Sequence, residues 1–264
     1  MPRTPLYMFE DPGWRRFGPL TTLHPVWDLR LGAQSLHDLI VHLVDQVPTG
    51  YFPRPALQPL VALDRQKPTG EIRNRGDVLL VNGRAYSYLD KMKLRPKPKW
   101  SIWSDGDDVV AALVPAPVAR KWLSADAMRP HDYSARNLLA IWNAEKKAPD
   151  VQVHELPGAL VSWPWEMIHL QEEVIKGDFS RLGKGSIAGE VDFRVILIEP
   201  DGILVEPKAT VAAGAILDAT RGPVILRDGV NVLPGAVIMG PVAIDRDCLV
   251  KAGCLLYTSP SPRD

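Results

Sequence analysis

The feature that most restricts the fold is a six-residue spacing of aliphatic side chains in the last third of the chain. The spaced positions hold only Val, Leu or Ile, in the order Val205, Val211 and Leu217, followed by Leu226, Val232, Ile238, Ile244 and Val250. The longer step after Leu217 indicates a short insertion at Thr220-Arg221-Gly222. A period of six predicts a parallel β-helix, in which each short strand places one aliphatic residue inside and Gly, Pro, Asn or Asp forms the turns.

Smaller apolar residues follow the same period, two positions before the aliphatic ones. They are Ala209, Ala215, Val230, Ala236, Val242 and Cys248. The only two cysteines of the chain, Cys248 and Cys254, fall in this region, and their spacing gives neither a disulfide framework nor a metal knuckle. We therefore expect both cysteines to be small core residues.

We expect the repeat to be interrupted in mid-coil at the end of the chain. Residues Cys254 to Asp264 can be back-translated into a transposase sequencing-library adapter, and a natural Ser/Pro-rich tail would not explain an interruption in mid-coil. We interpret residues 254–264 as an adapter-derived tail and expect the native protein to continue beyond Gly253. The repeat region, residues 185–253, is then a truncated β-helix of fewer than three coils, which lacks a cap.

The first two thirds of the chain lack this period and have the pattern of an α/β domain. The apolar runs Val78–Val81 and Val109–Val114 predict buried strands of a mixed sheet. Apolar residues from Ser35 to Val44 have helical spacing, and Ser35 and Asp38 are placed like a capping box. We assign residues 1–160 to this domain and residues 161–184 to a linker. In this linker, Trp163-Pro164-Trp165-Glu166 begins a helix with Pro164 near its first turn, and the helix runs to about Lys176, where Gly177 stops it.

Charge and hydropathy exclude two classes of partner. The chain has 31 basic and 31 acidic residues, and no Lys/Arg cluster that would follow a phosphate backbone, which argues against nucleic acid. The N-terminus lacks the apolar core of a signal peptide, and no apolar run approaches the ~18 residues of a membrane span. We expect a cytoplasmic protein with no membrane association.

Three local strings, together with the repeats, carry a resemblance to a known family. They are Pro19-Leu20-Thr21 with His24 to Gly32, Asp77 to Arg84, and Trp163-Pro164-Trp165-Glu166-Met167-Ile168. In combination they resemble the sugar nucleotidyltransferases related to the bifunctional N-acetylglucosamine-1-phosphate uridyltransferase/glucosamine-1-phosphate acetyltransferase. The resemblance extends over nearly the whole chain up to Gly253.

The resemblance implies a Rossmann-like nucleotidyltransferase-type domain followed by a left-handed parallel β-helix of hexapeptide repeats. It implies a nucleoside triphosphate and a sugar phosphate as partners, Mg²⁺ for nucleotidyl transfer, and a homotrimer formed through the β-helix. It also implies that the full-length protein uses acetyl-CoA as co-substrate. The acetyltransferase site of that family lies in later coils, and no His follows His169 in this chain.

The residues expected to bind substrate or phosphate follow from the three strings, because an Arg fork can clamp a phosphate and a Gly lets the backbone approach it. They are Thr21, Arg30, Gly32, Asn82, Gly83 and Arg84. No catalytic residue can be named, and no metal site can be assembled. For Arg30 an ion pair with Asp28 is the alternative, and for Asn82-Gly83 a tight turn.

The chain departs from the family's pattern at two places. Glu10 to Arg16 follow the first strand, where the family has a Gly-rich phosphate loop. Arg84 stands where the family has a magnesium-binding Asp, and an Arg can bind a phosphate oxygen but no metal. Glu166 and Asp178 remain candidate carboxylate ligands, with helix-terminal charge and capping as the alternative.

Two functions remain open. The first is sugar-nucleotide biosynthesis, by nucleotidyl transfer to a sugar 1-phosphate, acetyl transfer to an amino sugar phosphate of the UDP-N-acetylglucosamine pathway type, or both. The second is a catalytically silent sugar-nucleotide-binding module on a trimerising hexapeptide scaffold. The missing Gly-rich loop and Arg84 motivate the second hypothesis, but the resemblance as a whole favours a transferase, with acetyl transfer as the safer activity of the full-length protein.

Overall fold

The computed structural model describes residues 3–87, 100–124, 133–144, 151–183 and 185–257. The chain divides into two compact units. The first comprises Met1–Arg30 and Ser35–Glu166, and the second comprises Leu31–Gln34 and Met167–Asp264. A four-residue segment from the first part of the sequence therefore belongs to the second unit.

The first unit is built on a six-stranded mixed sheet with the order β4-β1-β5-β7-β6-β8. The first eight strands are β1 (Leu6–Phe9), β2 (Arg30–Leu31), β3 (Gln34–Ser35), β4 (Gly50–Phe52), β5 (Asp77–Asn82), β6 (Ser101–Asp105), β7 (Asp108–Pro115) and β8 (Gln152–Glu155). Strand β1 is parallel to β4 and β5, whereas β7 is antiparallel to β5 and β6. The mixed sheet predicted from the apolar runs is thus confirmed.

The strands β5 and β7 are apolar on both faces because side chains cover the sheet on both sides. The helices are α1 (Leu36–Val44), α2 (Gln58–Arg65), α3 (Ala116–Leu123), α4 (Ala135–Ala144) and α5 (Pro164–Leu182). Phe9 packs edge-on against Trp122 of α3, with 5.1 Å between ring centroids, in the core of this unit. Helix α1 begins as predicted, since the Ser35 hydroxyl accepts a hydrogen bond from the Asp38 N–H at 3.1 Å.

The predicted end of α5 at Gly177 is wrong. The helix continues through Gly177 to Leu182 and is followed by Gly183 in a positive-φ conformation. A glycine inside a helix costs only about 1 kcal/mol relative to alanine. Phe179, in the turn beyond Gly177, is buried in an apolar cluster with Leu204 and Ile225, so packing outweighs this local cost.

Short parallel strands make up the repeat region. They are β9 (Glu190–Val191), β10 (Ile196–Ile198), β11 (Ile203–Val205), β12 (Thr210–Val211), β13 (Ile216–Asp218), β14 (Val224–Leu226), β15 (Asn231–Val232), β16 (Val237–Met239), β17 (Val242–Ile244), β18 (Leu249–Val250) and β19 (Leu255–Leu256). They stack in three parallel sheets, with the orders β10-β13-β16-β19, β11-β14-β17 and β18-β15-β12-β9. This arrangement fits the predicted parallel β-helix, while its left-handed winding stays a prediction. The predicted number of coils, fewer than three, is wrong, because two of the three sheets contain four strands each.

The aliphatic residues of the six-residue series are all buried, as predicted, and form one core cluster. Cys254 is half-buried against this core, but the prediction for Cys248 is wrong because its side chain is exposed. The equivalent residue one coil earlier, Val230, is fully buried. Within the described residues no further coil covers Cys248 in the same way. The predicted tail, residues 254–264, is described as far as Tyr257. Its residues Leu255–Leu256 form β19, which pairs with β16, so the described part of the tail continues the stack and does not interrupt it.

None of the helices described in the structure combines the length and apolar character needed to cross a membrane.

Replacement of Leu217 by Ala should destabilise the repeat region by about 2–5 kcal/mol, because it leaves a cavity in a fully buried row. The matched control is Leu249→Ala, since Leu249 is 56% exposed on the outside of β18 and its truncation should change stability by less than about 0.5 kcal/mol. Urea unfolding followed by circular dichroism measures both. Equal losses in the two variants would contradict the inward assignment of the series.

Candidate functional site

The polar residues of the first unit converge at the carboxyl edge of its sheet. Glu10 and Asp11 follow β1, Arg54 follows β4, and Arg84 follows β5. Asp108 lies at the same edge because β7 runs antiparallel to β5 and begins there. In open α/β sheets, ligands bind beyond the carboxyl ends of the strands, so a ligand site is expected at this edge.

The centre of the edge is an ion-pair cluster formed by Arg84, Asp11 and Asp108. Nε of Arg84 donates to Oδ1 of Asp11 at 2.8 Å and Nη2 donates to Oδ2 at 2.5 Å, which is a bidentate pair. Nη2 also donates to Oδ2 of Asp108 at 2.7 Å. Arg84 is fully buried and Asp11 nearly so, so the pair is screened from water.

All five N–H groups of the Arg84 guanidinium have acceptors, because Nη1 donates to the Val161 carbonyl at 3.0 Å and to the Ser162 hydroxyl at 3.4 Å. Burial alone would lower the pKa of Arg84, but the carboxylates of Asp11 and Asp108 outweigh it and raise this pKa above its ordinary value. The side chain is therefore a permanent, fully bonded internal cation. The prediction that it binds a phosphate stays a prediction, and such binding would require at least one of these bonds to open.

Asn82 and Gly83 shape the turn that carries Arg84. The Asn82 side-chain oxygen accepts the Arg84 N–H at 3.0 Å, and its amide donates to Oδ2 of Asp11 at 2.9 Å. Gly83 lies against Trp27, where an added Cβ would come within 2.6 Å of the indole ring. Both residues thus have the turn and packing roles that were the alternative to ligand binding.

A second buried pair, Glu10 with Arg54, holds the loop that contains Thr21. Arg54 Nη1 donates to Oε1 of Glu10 at 2.8 Å, and Nη2 donates to the carbonyl oxygens of Thr21 and Thr22. Glu10 also accepts the Val26 N–H at 2.9 Å. Desolvation raises the pKa of Glu10 despite these donors, because the carboxyl group is fully buried.

Thr21 is itself buried, and its hydroxyl donates to the Trp14 carbonyl at 3.1 Å. Its role in the structure is to tie two loop segments together. The predicted contact between Thr21 and a phosphate is not tested by this geometry.

Gly32 belongs to the second unit, whereas Arg84 and its partners belong to the first. Its N–H donates to Oε1 of Gln171 at 2.8 Å, and it has a φ of 71°. An added Cβ would come within 2.4 Å of a carboxylate oxygen of Asp178. A carboxylate neighbour is unfavourable for an anion, so this position favours a packing role for Gly32.

Arg30 is exposed at the end of the first unit's N-terminal segment. Asp28, the alternative partner for Arg30, has Arg65 as its ion-pair partner at 2.5 Å. Glu166 accepts the N–H groups of Ser162 and Trp163, which is the capping role proposed as its alternative.

Asp178 is fully buried inside the second unit. It accepts the Ala33 N–H at 2.7 Å, the Gln34 amide at 2.9 Å and a guanidinium N–H of Arg181 at 2.5 Å. A carboxylate with these three donors anchors the segment Leu31–Gln34, so its role is neither helix capping nor exposed metal binding.

The residues of the carboxyl edge do not fit a magnesium ion. The two oxygens of Asp11 accept hydrogen bonds from Gly13 N–H, Asn82 and the two nitrogens of Arg84, which occupies all of its acceptor positions. The Arg84 cation lies between Asp11 and Asp108 and would repel a second cation. Among the described residues, no group of three His, Cys, Asp or Glu side chains is arranged to hold a metal.

A shallow concavity of about 240 Å³ is lined by residues of β6, β8 and α4. Its charged lining includes Asp107, Arg136 and Glu155, and the Arg136 side chain is 88% exposed. It is smaller than the roughly 300–1,000 Å³ typical of ligand pockets, and it is a weaker candidate than the buried cluster.

Four residues of this edge were not predicted from the sequence: Glu10, Asp11, Arg54 and Asp108. The signal available was that two adjacent acidic residues directly follow a buried strand, where acidic side chains need partners. The partners of Glu10 and Asp11 lie 44 and 73 residues away, so the pairing itself could not be read from local patterns.

The fold and this edge define the class as an α/β domain with a polar, strand-end site, followed by stacked parallel strands. Residues 6–187 match a family model described as sugar nucleotidyl transferase. This match covers more than half of the chain, and the protein belongs to the sugar nucleotidyl transferase family. A search of curated proteins gives no match.

Replacement of Arg84 by Met should cost about 3–5 kcal/mol of stability, because it leaves the buried carboxylate of Asp11 without its partner. The control is Arg136→Met, whose exposed pair with Asp107 should contribute less than about 1 kcal/mol. Adding Asp11→Asn to Arg84→Met removes the unpaired charge and should recover part of the loss. Urea unfolding of the three variants tests this, and a similar small loss in both arginine variants would contradict it.

Proposed function

We propose that the protein acts in sugar-nucleotide biosynthesis and transfers a nucleotidyl group to a sugar 1-phosphate. The observation that carries the proposal is the family match over residues 6–187, which includes the whole sheet and the polar carboxyl edge. We also propose that the first unit is Rossmann-like and that the repeat region winds in a left-handed sense. We also propose that the protein works in the cytoplasm.

The transfer is an in-line attack. An oxygen of the sugar phosphate forms a bond to the α-phosphorus of a nucleoside triphosphate, the bond from that phosphorus to the bridging oxygen breaks, and pyrophosphate leaves. The protein contributes by holding the two anions together and by stabilising the charge on the leaving group. Arg30 is the exposed cation among the predicted phosphate-binding residues, so it is the first candidate for this role.

Acetyl transfer to an amino sugar phosphate, with acetyl-CoA as donor, is the second proposed activity of the full-length protein. It is supported by the stacked parallel strands of the repeat region and by the resemblance to the bifunctional enzymes. The UDP-N-acetylglucosamine pathway type is proposed on the same grounds.

A catalytically silent sugar-nucleotide-binding module remains the second candidate, and one observation favours it. Arg84 is fully bonded between Asp11 and Asp108, where it neither contacts solvent nor leaves room for magnesium. Calorimetry separates the candidates: nucleotide binding that requires Mg²⁺ supports the transferase, and sugar-nucleotide binding that is indifferent to Mg²⁺ supports the module.

The purified protein with Mg²⁺, nucleoside triphosphates and hexosamine 1-phosphates should release pyrophosphate, and Arg30→Ala should lower kcat/KM at least about tenfold, the loss expected from one charge-assisted contact. The control is Arg75→Ala, because Arg75 is exposed and precedes β5 at the opposite edge of the sheet. A coupled pyrophosphate assay gives the rates. Absence of pyrophosphate with every nucleotide would sink the transfer proposal.

The homotrimer is proposed to form through the repeat region. An apolar row of Ile196, Ile216 and Val237 lies on the outside of one sheet, and Ile196 is 52% exposed. Burial of such a row between copies would remove apolar surface from water.

Ile196→Glu should therefore dissociate the assembly in sedimentation velocity, whereas Asn231→Glu on a neighbouring sheet should leave it unchanged. A wild-type monomer would contradict the proposal.

A further inference from the structure

Two exposed tryptophans of the first unit have no role in the chemistry described above. Trp163 is 40% exposed and Trp165 is 54% exposed. Their rings are stacked, with 4.8 Å between centroids and 11° between planes. Large aromatic side chains are mostly buried in proteins, and an exposed, ordered pair indicates a surface that binds something.

The backbone that carries the pair is capped at the start of α5. A carboxylate oxygen of Glu166 accepts the N–H of Ser162 at 2.7 Å and the N–H of Trp163 at 3.1 Å. Pro164 occupies the first position of the helix, where its fixed φ suits the turn. The entropy cost of ordering these rings when a ligand binds would therefore be small.

The buried Arg84 connects this segment to a surface cation. Its guanidinium donates to the Val161 carbonyl, and its own carbonyl accepts the Val161 N–H at 3.0 Å. The same guanidinium is paired with Asp11, which caps the 3-10 helix Pro12–Phe17. Arg16 of that helix is exposed, and its guanidinium carbon lies 5.4 Å from the centroid of the Trp163 ring.

The exposed group is thus a flat aromatic surface with a positive charge beside it. Aromatic side chains stack on nucleobases whatever the base, and a guanidinium pairs with phosphate oxygens. A purely apolar protein partner fits this surface less well, because it would have to desolvate Arg16 without pairing its charge. The complementary ligand has a planar ring and a negative charge a short distance from it.

We propose that Arg16, Trp163 and Trp165 form a binding platform for the nucleoside diphosphate part of a sugar nucleotide. The base stacks on Trp165, and the diphosphate pairs with Arg16. Arg84 acts as a positioning residue, since it fixes both segments without touching the ligand. The platform rests on the proposed function for the identity of its ligand, and it specifies where that ligand binds.

Calorimetry with UDP, uridine and inorganic pyrophosphate tests the platform. Trp165→Ala should weaken UDP binding about 5- to 150-fold, the range expected for the loss of one stacked base, and leave pyrophosphate binding unchanged. Arg16→Ala should weaken UDP and pyrophosphate and leave uridine nearly unchanged. The matched control is Phe193→Ala, because Phe193 is 90% exposed with Arg194 over its ring at 5.1 Å, and it belongs to the second unit.

Equal UDP affinity in wild type, Trp165→Ala and Phe193→Ala would overturn the platform, and so would undetectable UDP binding by the wild type. A change in sedimentation of Trp165→Ala with unchanged UDP affinity would overturn it in favour of a contact between copies. The pyrophosphate assay reports on the transfer separately. UDP binding that depends on Trp165, without pyrophosphate release, would support the platform and contradict the transferase. Pyrophosphate release without UDP binding that depends on Trp165 would contradict the platform alone.

Discussion

The buried pairing of Arg84 with Asp11 and Asp108 is the interaction on which the carboxyl edge of the first unit depends. A guanidinium and a carboxylate taken out of water are costly unless every donor and acceptor is satisfied, and here both groups are. Because the acceptors come from three separate segments, the sheet, the first turn and the start of α5 are fixed relative to one another. The cluster contributes to the organisation of the edge and not to a net gain in folding stability.

Adjacent acidic residues after β1 organise different parts of this edge. Glu10 and Arg54 hold the loop around Thr21, and Asp11 and Arg84 hold the turn Pro12–Phe17. The N–H of Gly13 donates to Asp11 at 3.1 Å. A carboxylate of the chain itself thus occupies the start of the first turn, where phosphate loops of α/β proteins present their N–H groups to a ligand. Phosphate recognition in this protein must rely on other groups.

Periodic and local features of the fold could be predicted from the sequence. The six-residue series, the mixed sheet and the cap at Ser35 each depend on residues that are close in sequence, so the pattern and the physical cause coincide. The length of α5 was predicted wrongly because burial of residues beyond Gly177 is a tertiary effect. The partners of Glu10 and Asp11 follow from the order of strands in the sheet, which a single sequence does not specify. Arg84 was identified as unusual, but its carboxylate partners were not.

The segment Leu31–Gln34 belongs to the second unit, although the residues before and after it in sequence belong to the first. Asp178 accepts the Ala33 N–H, and Arg227 donates to the Ala33 carbonyl at 3.1 Å, so four residues near the N-terminus complete the packing of the second unit. Ala33 and Asp178 are 145 residues apart in sequence. No single cut in the chain can therefore yield both units whole, and a ribosome-bound chain cannot complete the second unit from its own contiguous residues. Closing such a long loop is slow, which couples the folding of the repeats to residues made long before them.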